Sequence, residues 1–261
     1  MFGVISGSGL YEIPGLEIKD QVNIDTPYGE TSDLYTLGRL SGKKVVFLPR
    51  HGSGHHVQPH KINYRANIWG FWKLGVKRLL SIGATGGIRE TMVPGSITVP
   101  DQIIDTTSSR ASTFYDGEEV VHIDFTDPFC PDLRGYIIEA GIRSGLPLVS
   151  AATYICVNGP RLETAAEIRT FSLWGGDIVG MTVMPEAALA RELGLCYGNI
   201  SVVTNFAAGV RAGRLTVSEV TETMRSSEEK LGLLLHTLFT MKITHSSCSC
   251  GRSLEEAKAS K

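Results

Sequence analysis

Five short segments of the chain carry groups that can hold an anion or the edge of a heterocycle. Gly7-Ser8-Gly9 offers backbone amides and one hydroxyl, a turn suited to an anion. The third glycine of a dinucleotide fingerprint would fall where Glu12 stands, and no Lys-Ser/Thr pair makes a Walker loop. Arg50-His51 supplies a planar guanidinium fork that suits phosphate oxygens and an imidazole able to donate one more hydrogen bond. His51, His55, His56 and His60 share a Gly-rich stretch with no Cys or carboxylate nearby, which speaks against a metal cluster. In Gly83-Ala84-Thr85-Gly86-Gly87 the small residues let a bound group approach the backbone. Glu163 puts a carboxylate at a loop–helix junction, a place that also suits an ordinary first-turn acid. Asn205, in Thr204-Asn205-Phe206-Ala207-Ala208-Gly209, ends an apolar run with a carboxamide that also reads as a turn former.

The elements that must position these groups follow from periodicity. Short β-branched runs at 2–6, 45–49, 79–83, 97–104, 153–157, 177–181 and 201–204 read as strands. Several are apolar throughout, as strands covered on both faces are. Helices are expected at 60–74, burying Ile62, Ala66, Trp69 and Trp72, at 163–174 behind the capping box Thr164/Glu167, and at 185–194. A last long helix opens at Thr216/Glu219 and turns Val217, Val220, Met224, Leu231, Leu234, Leu235 and Leu238 inward. The expected fold is a single α/β domain over 1–243, a mixed β-sheet, distorted and barrel-like, flanked by helices. A polar, mobile tail follows over 244–261. Ligand-bearing loops belong beyond the strand carboxyl ends, at 6–9, 50–51, 83–87, 181–182 and 205–209.

Composition narrows the classes. With 261 residues, 42% of them hydrophobic, the chain can bury a substantial core. A net charge of −2 gives no electrostatic support for nucleic-acid binding. No apolar run approaches the length of a membrane span, and the N-terminus lacks the basic region of a signal peptide. Five cysteines, three scattered through the body and Cys248 and Cys250 in the tail, do not form a secreted disulfide framework. A soluble cytoplasmic protein is expected, with no nucleic-acid or membrane partner.

Taken together, the segments resemble the trimeric purine nucleoside phosphorylase and methylthioadenosine phosphorylase family. The resemblance runs over about residues 2–240: Ile5-Ser6-Gly7-Ser8-Gly9-Leu10, Pro49-Arg50-His51-Gly52, Asn63-Tyr64-Arg65-Ala66-Asn67-Ile68-Trp69, Phe114-Tyr115-Asp116-Gly117, His122-Ile123-Asp124-Phe125, Gly159-Pro160-Arg161 and Met181-Thr182-Val183-Met184-Pro185-Glu186. It implies a pentosyltransferase in which inorganic phosphate, a co-substrate, attacks C1′ of a purine nucleoside, with no metal or organic cofactor. It implies phosphate binding by Ser8, Arg50, His51, Ala84 and Thr182. Gly83 stands where methylthioadenosine enzymes often carry Thr. Leu162, Glu163, Asn205 and Ala207 belong to the base site, and Asn205 and His51 are the expected catalytic groups. Met181 is expected under the sugar, and His122 at the 5′ end of a neighbouring subunit's substrate in a homotrimer or dimer of trimers. The Cys-x-Cys tail is similar to one in some thermophilic members, where it can close a small disulfide. Two mobile free thiols is the plainer alternative, and a metal on two thiols the less favoured one.

The chain departs from its methylthioadenosine relatives at the base. Their Thr-Asp-Tyr-Asp is Thr204-Asn205-Phe206-Ala207 here, and their Ser is Glu163. A 6-oxopurine presents an acceptor, O6, and an N1–H donor. A carboxamide can serve O6 and N7, while an ionised Glu163 accepts from N1. Such a polar mismatch discriminates by about 10⁴-fold. The expected substrate is S-methyl-5′-thioinosine, with Val217 and Val220 forming an apolar slot for the methylthio group. Inosine or guanosine is the second choice and methylthioadenosine the third. A nucleoside-binding protein without turnover and a water-using nucleoside hydrolase are the competitors from other classes.

Overall fold

In the computed structural model the described residues are 1–7, 15–212, 215–243, 247–255 and 257. Among them eleven strands form one mixed sheet. Its centre is the pair of long apolar strands β5 (Arg78–Gly87) and β11 (Cys196–Phe206), parallel along their length, with a bulge between Val203 and Asn205. β1 (Phe2–Ser6) lies parallel between β5 and β4 (Lys43–Pro49). Beyond β4 come β3 (Tyr35–Leu40) and the edge strand β2 (Glu17–Val22), both antiparallel. On the other flank stand β10 (Ile178–Gly180), β9 (Thr153–Cys156) and β7 (Gln102–Asp105), and β6 (Ile97–Thr98) joins β11 to β8 (Leu148–Val149).

Helices cover both faces, which is why β1 and β11 are buried along nearly their whole length. On one side α2 (Pro131–Ser144) and α5 (Val217–Thr240) pack Leu133, Ile137, Leu231, Leu234, Leu235 and Leu238 on Val4, Leu80, Ile82, Ile200 and Val202. On the other, α1 (Tyr64–Lys73) and α4 (Val183–Glu192) pack Ile68, Phe71, Val183, Ala187 and Leu189 on Ile5, Leu79 and Val203. A smaller cluster joins α3 (Ala165–Leu173) to β9, β10 and the end of β11 through Ile168, Phe171, Ile155, Val179 and Ala207. Thr164 and Glu167 form the expected reciprocal capping box, whereas at α5 Thr216 caps Glu219 N–H.

Several expectations are corrected. The run at 97–104 is two strands broken around Pro100, since proline donates no ladder bond. Gly83–Gly87 is the second half of β5 rather than a loop. On α1 the buried side is Ile68 and Phe71, and Trp72 is exposed. Val217, at the first turn of α5, is 81% exposed, because the helix reaches the core only from Met224 onward. In the tail Cys250 and Ala257 are buried, while Ser247, Ser249, Arg252 and Glu255 are exposed.

Candidate active site

The sheet divides at β5. β1 pairs with it as far as Ile82, and β10 begins to pair on that side only at Gly86. Residues 83–85 therefore face a gap between two diverging strands, the kind of switch point at which α/β sheets bind ligands. Three chain ends converge there: Gly7 after β1, Arg50 after β4, and Thr182 after β10. Gly7 donates to Ile82 O at 2.8 Å and Arg50 N–H to Ser6 O at 2.8 Å, which ties the first two ends together. Ser8 lies outside the described residues.

Arg50 is fully buried. Its Nε donates to Glu186 Oε1 at 2.5 Å, and Nη2 donates to Glu186 Oε2 at 3.1 Å and to Ser81 Oγ at 2.7 Å. Nη1 donates to Ile82 O at 3.1 Å. A Cβ at Gly7 would stand 3.0 Å from Nη1, and one at Gly83 3.9 Å from it. The guanidinium fork expected to serve phosphate is thus shared with a carboxylate. Glu186 occupies one edge of the fork, and Nη1 alone borders Gly7 and Gly83. Burial alone would lower the Arg50 pKa, but the charge and hydrogen bonds of Glu186 raise it above its ordinary value. Tyr197 Oη completes the arrangement, donating to Glu186 Oε2 at 2.9 Å.

His51 is also buried, with Nδ1 2.8 Å from Val57 O. A carbonyl only accepts, so Nδ1 carries the proton. Burial first, and Arg50 second, push the His51 pKa down to about 4. The ring is therefore neutral near pH 7, and Nε2 is a bare acceptor. With Nδ1 engaged by Val57 O, only Nε2 is left to face a ligand. Thr182 precedes α4 with its hydroxyl uncommitted to a helix cap. Gly180 is required beside it, because a Cβ there would meet Tyr154 Oη at 1.9 Å.

The second part of the site stands where α3 meets the end of β11. A cleft of about 550 Å³ is bordered by Val157, Asn158, Gly159, Glu163, Phe171 and Trp174 among others. Burial pushes the Glu163 carboxyl above its usual range, opposed by its own backbone amide and by Arg161. Arg161 is held by Glu167 at 2.7 Å instead of by Glu163. Leu162 is exposed beside it. Asn205 does not border this cleft. Its Oδ1 accepts from Thr204 Oγ1 and its Nδ2 donates to Phe206 O, both at 2.9 Å, which leaves one N–H and one lone pair of the carboxamide. The two segments nevertheless touch: Ala207 shares a core cluster with Ile168 and Phe171 of α3, and a Cβ at Gly209 would meet Ala165 Cβ at 2.6 Å. Met181 packs against Gly159.

Two residues of consequence carried no sequence signal. Glu186 reaches Arg50 across 136 positions, and its only local trace is an acid in the apolar first half of its helix. Arg110 donates through Nη1 to Met181 O at 2.8 Å and Met184 O at 2.5 Å, and through Nη2 to Asn158 O at 2.9 Å. It fastens the Met181 and Asn158 segments together. Within one chain His122 is elsewhere, in a separate cleft with Arg191 and the tail residues Ser249, Arg252 and Ala257. Val217 and Val220 belong to the outer turns of α5, with Val220 half-buried. No helix of the described residues is long and apolar enough to cross a membrane.

The sequence profile of the phosphorylase superfamily matches residues 2–240. A probable S-methyl-5′-thioinosine phosphorylase of Thermodesulfovibrio yellowstonii is 49% identical over 256 residues, 98% of this chain and 96% of that protein. A 6-oxopurine nucleoside phosphorylase of Pyrococcus furiosus is 46% identical, over 97% of each chain. Among solved structures, a methylthioadenosine phosphorylase from an antarctic soil metagenomic library superposes with a TM-score of 0.92 at 35% identity, covering 99% of this chain and 92% of the other.

Proposed function

Because the chain belongs to the phosphorylase superfamily, and is a pentosyltransferase with purine nucleoside phosphorylase activity, we propose that it acts on 6-oxopurine nucleosides, S-methyl-5′-thioinosine first. Hydrogen phosphate sits in the gap at residues 83–85. Arg50 Nη1, the Ser8 and Thr182 hydroxyls and the small-residue backbone of Gly83 and Ala84 supply its contacts. Bare Nε2 of His51 accepts a hydrogen bond from the P–OH group, which keeps its proton, and so favours the monoprotonated anion. A phosphate oxygen forms its bond to C1′ as the C1′–N9 bond breaks. The products are 5-methylthioribose 1-phosphate and hypoxanthine, and the proton that phosphate brings ends on the base. The protein's task is to position the anion and stabilise charge on the leaving base, and inorganic phosphate is the only co-substrate.

One observation carries the choice of base. The end of β11 presents a carboxamide and no carboxylate, Asn205 followed by Ala207, packed against the segment that bears Glu163. Free valences on Asn205 serve O6 and N7, and Glu163, ionised, takes the N1–H. For the 5′ group, Val217 and Val220 offer methyls and no donor to a hydroxyl. The exposure of Val217 calls for cover from a second copy, with His122 approaching from that copy, in a homotrimer or dimer of trimers. The same open turn favours inosine or guanosine as the second reading, since this chain alone does not close an apolar slot.

The test is a kcat/KM panel on methylthioinosine, methylthioadenosine, inosine and guanosine, with and without phosphate. Phosphate-dependent release of hypoxanthine is expected, with methylthioadenosine slower by about 10⁴-fold. Equal rates on methylthioadenosine and methylthioinosine would overturn the base assignment. A large preference for inosine would overturn the 5′ assignment alone. Asn205→Asp combined with Ala207→Asp is expected to raise activity on methylthioadenosine.

A further inference from the structure

Four of the five cysteines, scattered in sequence, meet in space. Cys130 caps α2, Cys196 opens β11, and Cys248 and Cys250 come from the tail. All four sulfurs lie within 4.8 Å of one another, and Cys196 Sγ is 3.6 Å from Cys248 Sγ. Three are buried and Cys248 is half-buried. We propose that these four thiols are a structural zinc site that fastens the C-terminal tail to the domain.

The arrangement suits a tetrahedral ion better than pairs. With Zn–S bonds of about 2.3 Å, the sulfurs of a tetrahedron stand about 3.8 Å apart, close to the Cys196–Cys248 separation and inside the limit that holds for all four. The sulfurs converge mutually, whereas two disulfides need closeness only within each pair. A ring closed by Cys248 and Cys250 across one residue is also strained. An all-sulfur tetrahedral donor set selects a soft divalent ion such as zinc. Binding takes Zn²⁺ and four thiols to a tetrathiolate of charge −2 with release of four protons. The start of α2 suits that charge. Leu133 N–H of the first turn of α2 points at Cys130 Sγ, 3.4 Å away, where a helix N-terminus favours thiolate. The tail is already aligned: Ser247 N–H and Cys248 N–H donate to Asp132 at 2.6 and 3.0 Å. Ser253 Oγ donates to Arg191 O at 2.5 Å, and Ala257 O accepts from His122 N–H at 2.8 Å. A metal at this point would hold the tail, whose Ala257 O accepts from the His122 backbone. The fifth thiol, Cys156, stands apart beside Met184.

The experiment uses the full chain, purified under reductant from zinc-supplemented cells and desalted. Metal is counted by mass spectrometry, and thiols are titrated in denaturant. About one zinc per chain is expected, with all five cysteines free once the protein is unfolded in chelator. Cobalt exchanged for zinc should give the intense visible bands of a tetrahedral thiolate. Cys130 and Cys196 lie in the core, so the variant of choice is the half-buried Cys248→Ser. It should weaken zinc binding at least about tenfold, the least a lost ligand costs where outer-sphere changes already reach that, and lower Tm only when the parent holds metal. Reduced, folded protein that takes up no zinc, with its thiols either free or reoxidising to disulfides, overturns the proposal. So does a Cys248→Ser variant that keeps its full metal content.

Discussion

Replacing Glu186 with Ala leaves Arg50 fully buried with its charge unanswered. The wild-type pair is made at 2.5 and 3.1 Å, and Tyr197 Oη loses its acceptor as well. Removing one member of a buried ion pair costs about 3–5 kcal/mol. In a chain of this size that is about 6–20 °C in Tm, and a large part of a total stability of about 5–15 kcal/mol. Glu186→Gln keeps the shape and one acceptor, and should fall between parent and Ala. Phosphate adds a second reading. An anion beside Nη1 partly replaces the lost carboxylate, so saturating phosphate should raise the Tm of Glu186→Ala by more than it raises that of the parent. The assays are urea and thermal unfolding followed by circular dichroism, with and without phosphate. A loss under about 1 kcal/mol for Glu186→Ala would refute the claim that Arg50 depends on this partner. A phosphate shift no larger than the parent's would refute the placement of phosphate at Nη1.

Two further predictions concern protons. His51 has a folded pKa of about 4 against about 6.5 unfolded, so its contribution is complete above pH 6.5 and disappears as pH falls through 4. Between those values it amounts to about 3 kcal/mol, and His51→Gln should flatten the acid limb of the stability curve by about one proton's slope when both proteins are followed by urea unfolding. Glu163, whose carboxyl is raised by burial, opposes folding once it ionises. Glu163→Gln should be at least as stable as the parent above the carboxylate range, yet lose about 10²-fold or more in kcat/KM on 6-oxopurines; a variant with full activity would remove Glu163 from the base site.

How much of this was legible depends on burial. β1, β4, β5 and β11 are apolar enough to declare themselves, and Arg50 and Thr182 follow β4 and β10 as the strand–loop logic put them, whereas Gly83–Gly87 and Asn205 lie within β5 and β11. β2 was not legible because its residues Glu17, Lys19 and Asp20 face solvent on an edge strand. α2 was missed because Gly135 and Gly141 dilute its periodicity, although Pro131 and Gly145 mark its ends. On α1 and α5 the period was right and the face partly wrong, since Trp72 and Val217 are apolar without being buried. Partnerships between distant segments have no local signature. Arg50 with Glu186, Arg110 with the carbonyls of Met181 and Asn158, and the four converging thiols became visible only in three dimensions.

The central claim is that Glu163 and Asn205 grip one lactam edge. A crystal structure with phosphate and hypoxanthine bound tests it most directly. The account predicts a Glu163 carboxylate oxygen within hydrogen-bonding distance of N1 and the Asn205 carboxamide on N7 and O6. A base held by other side chains, with either of these two turned away, contradicts it.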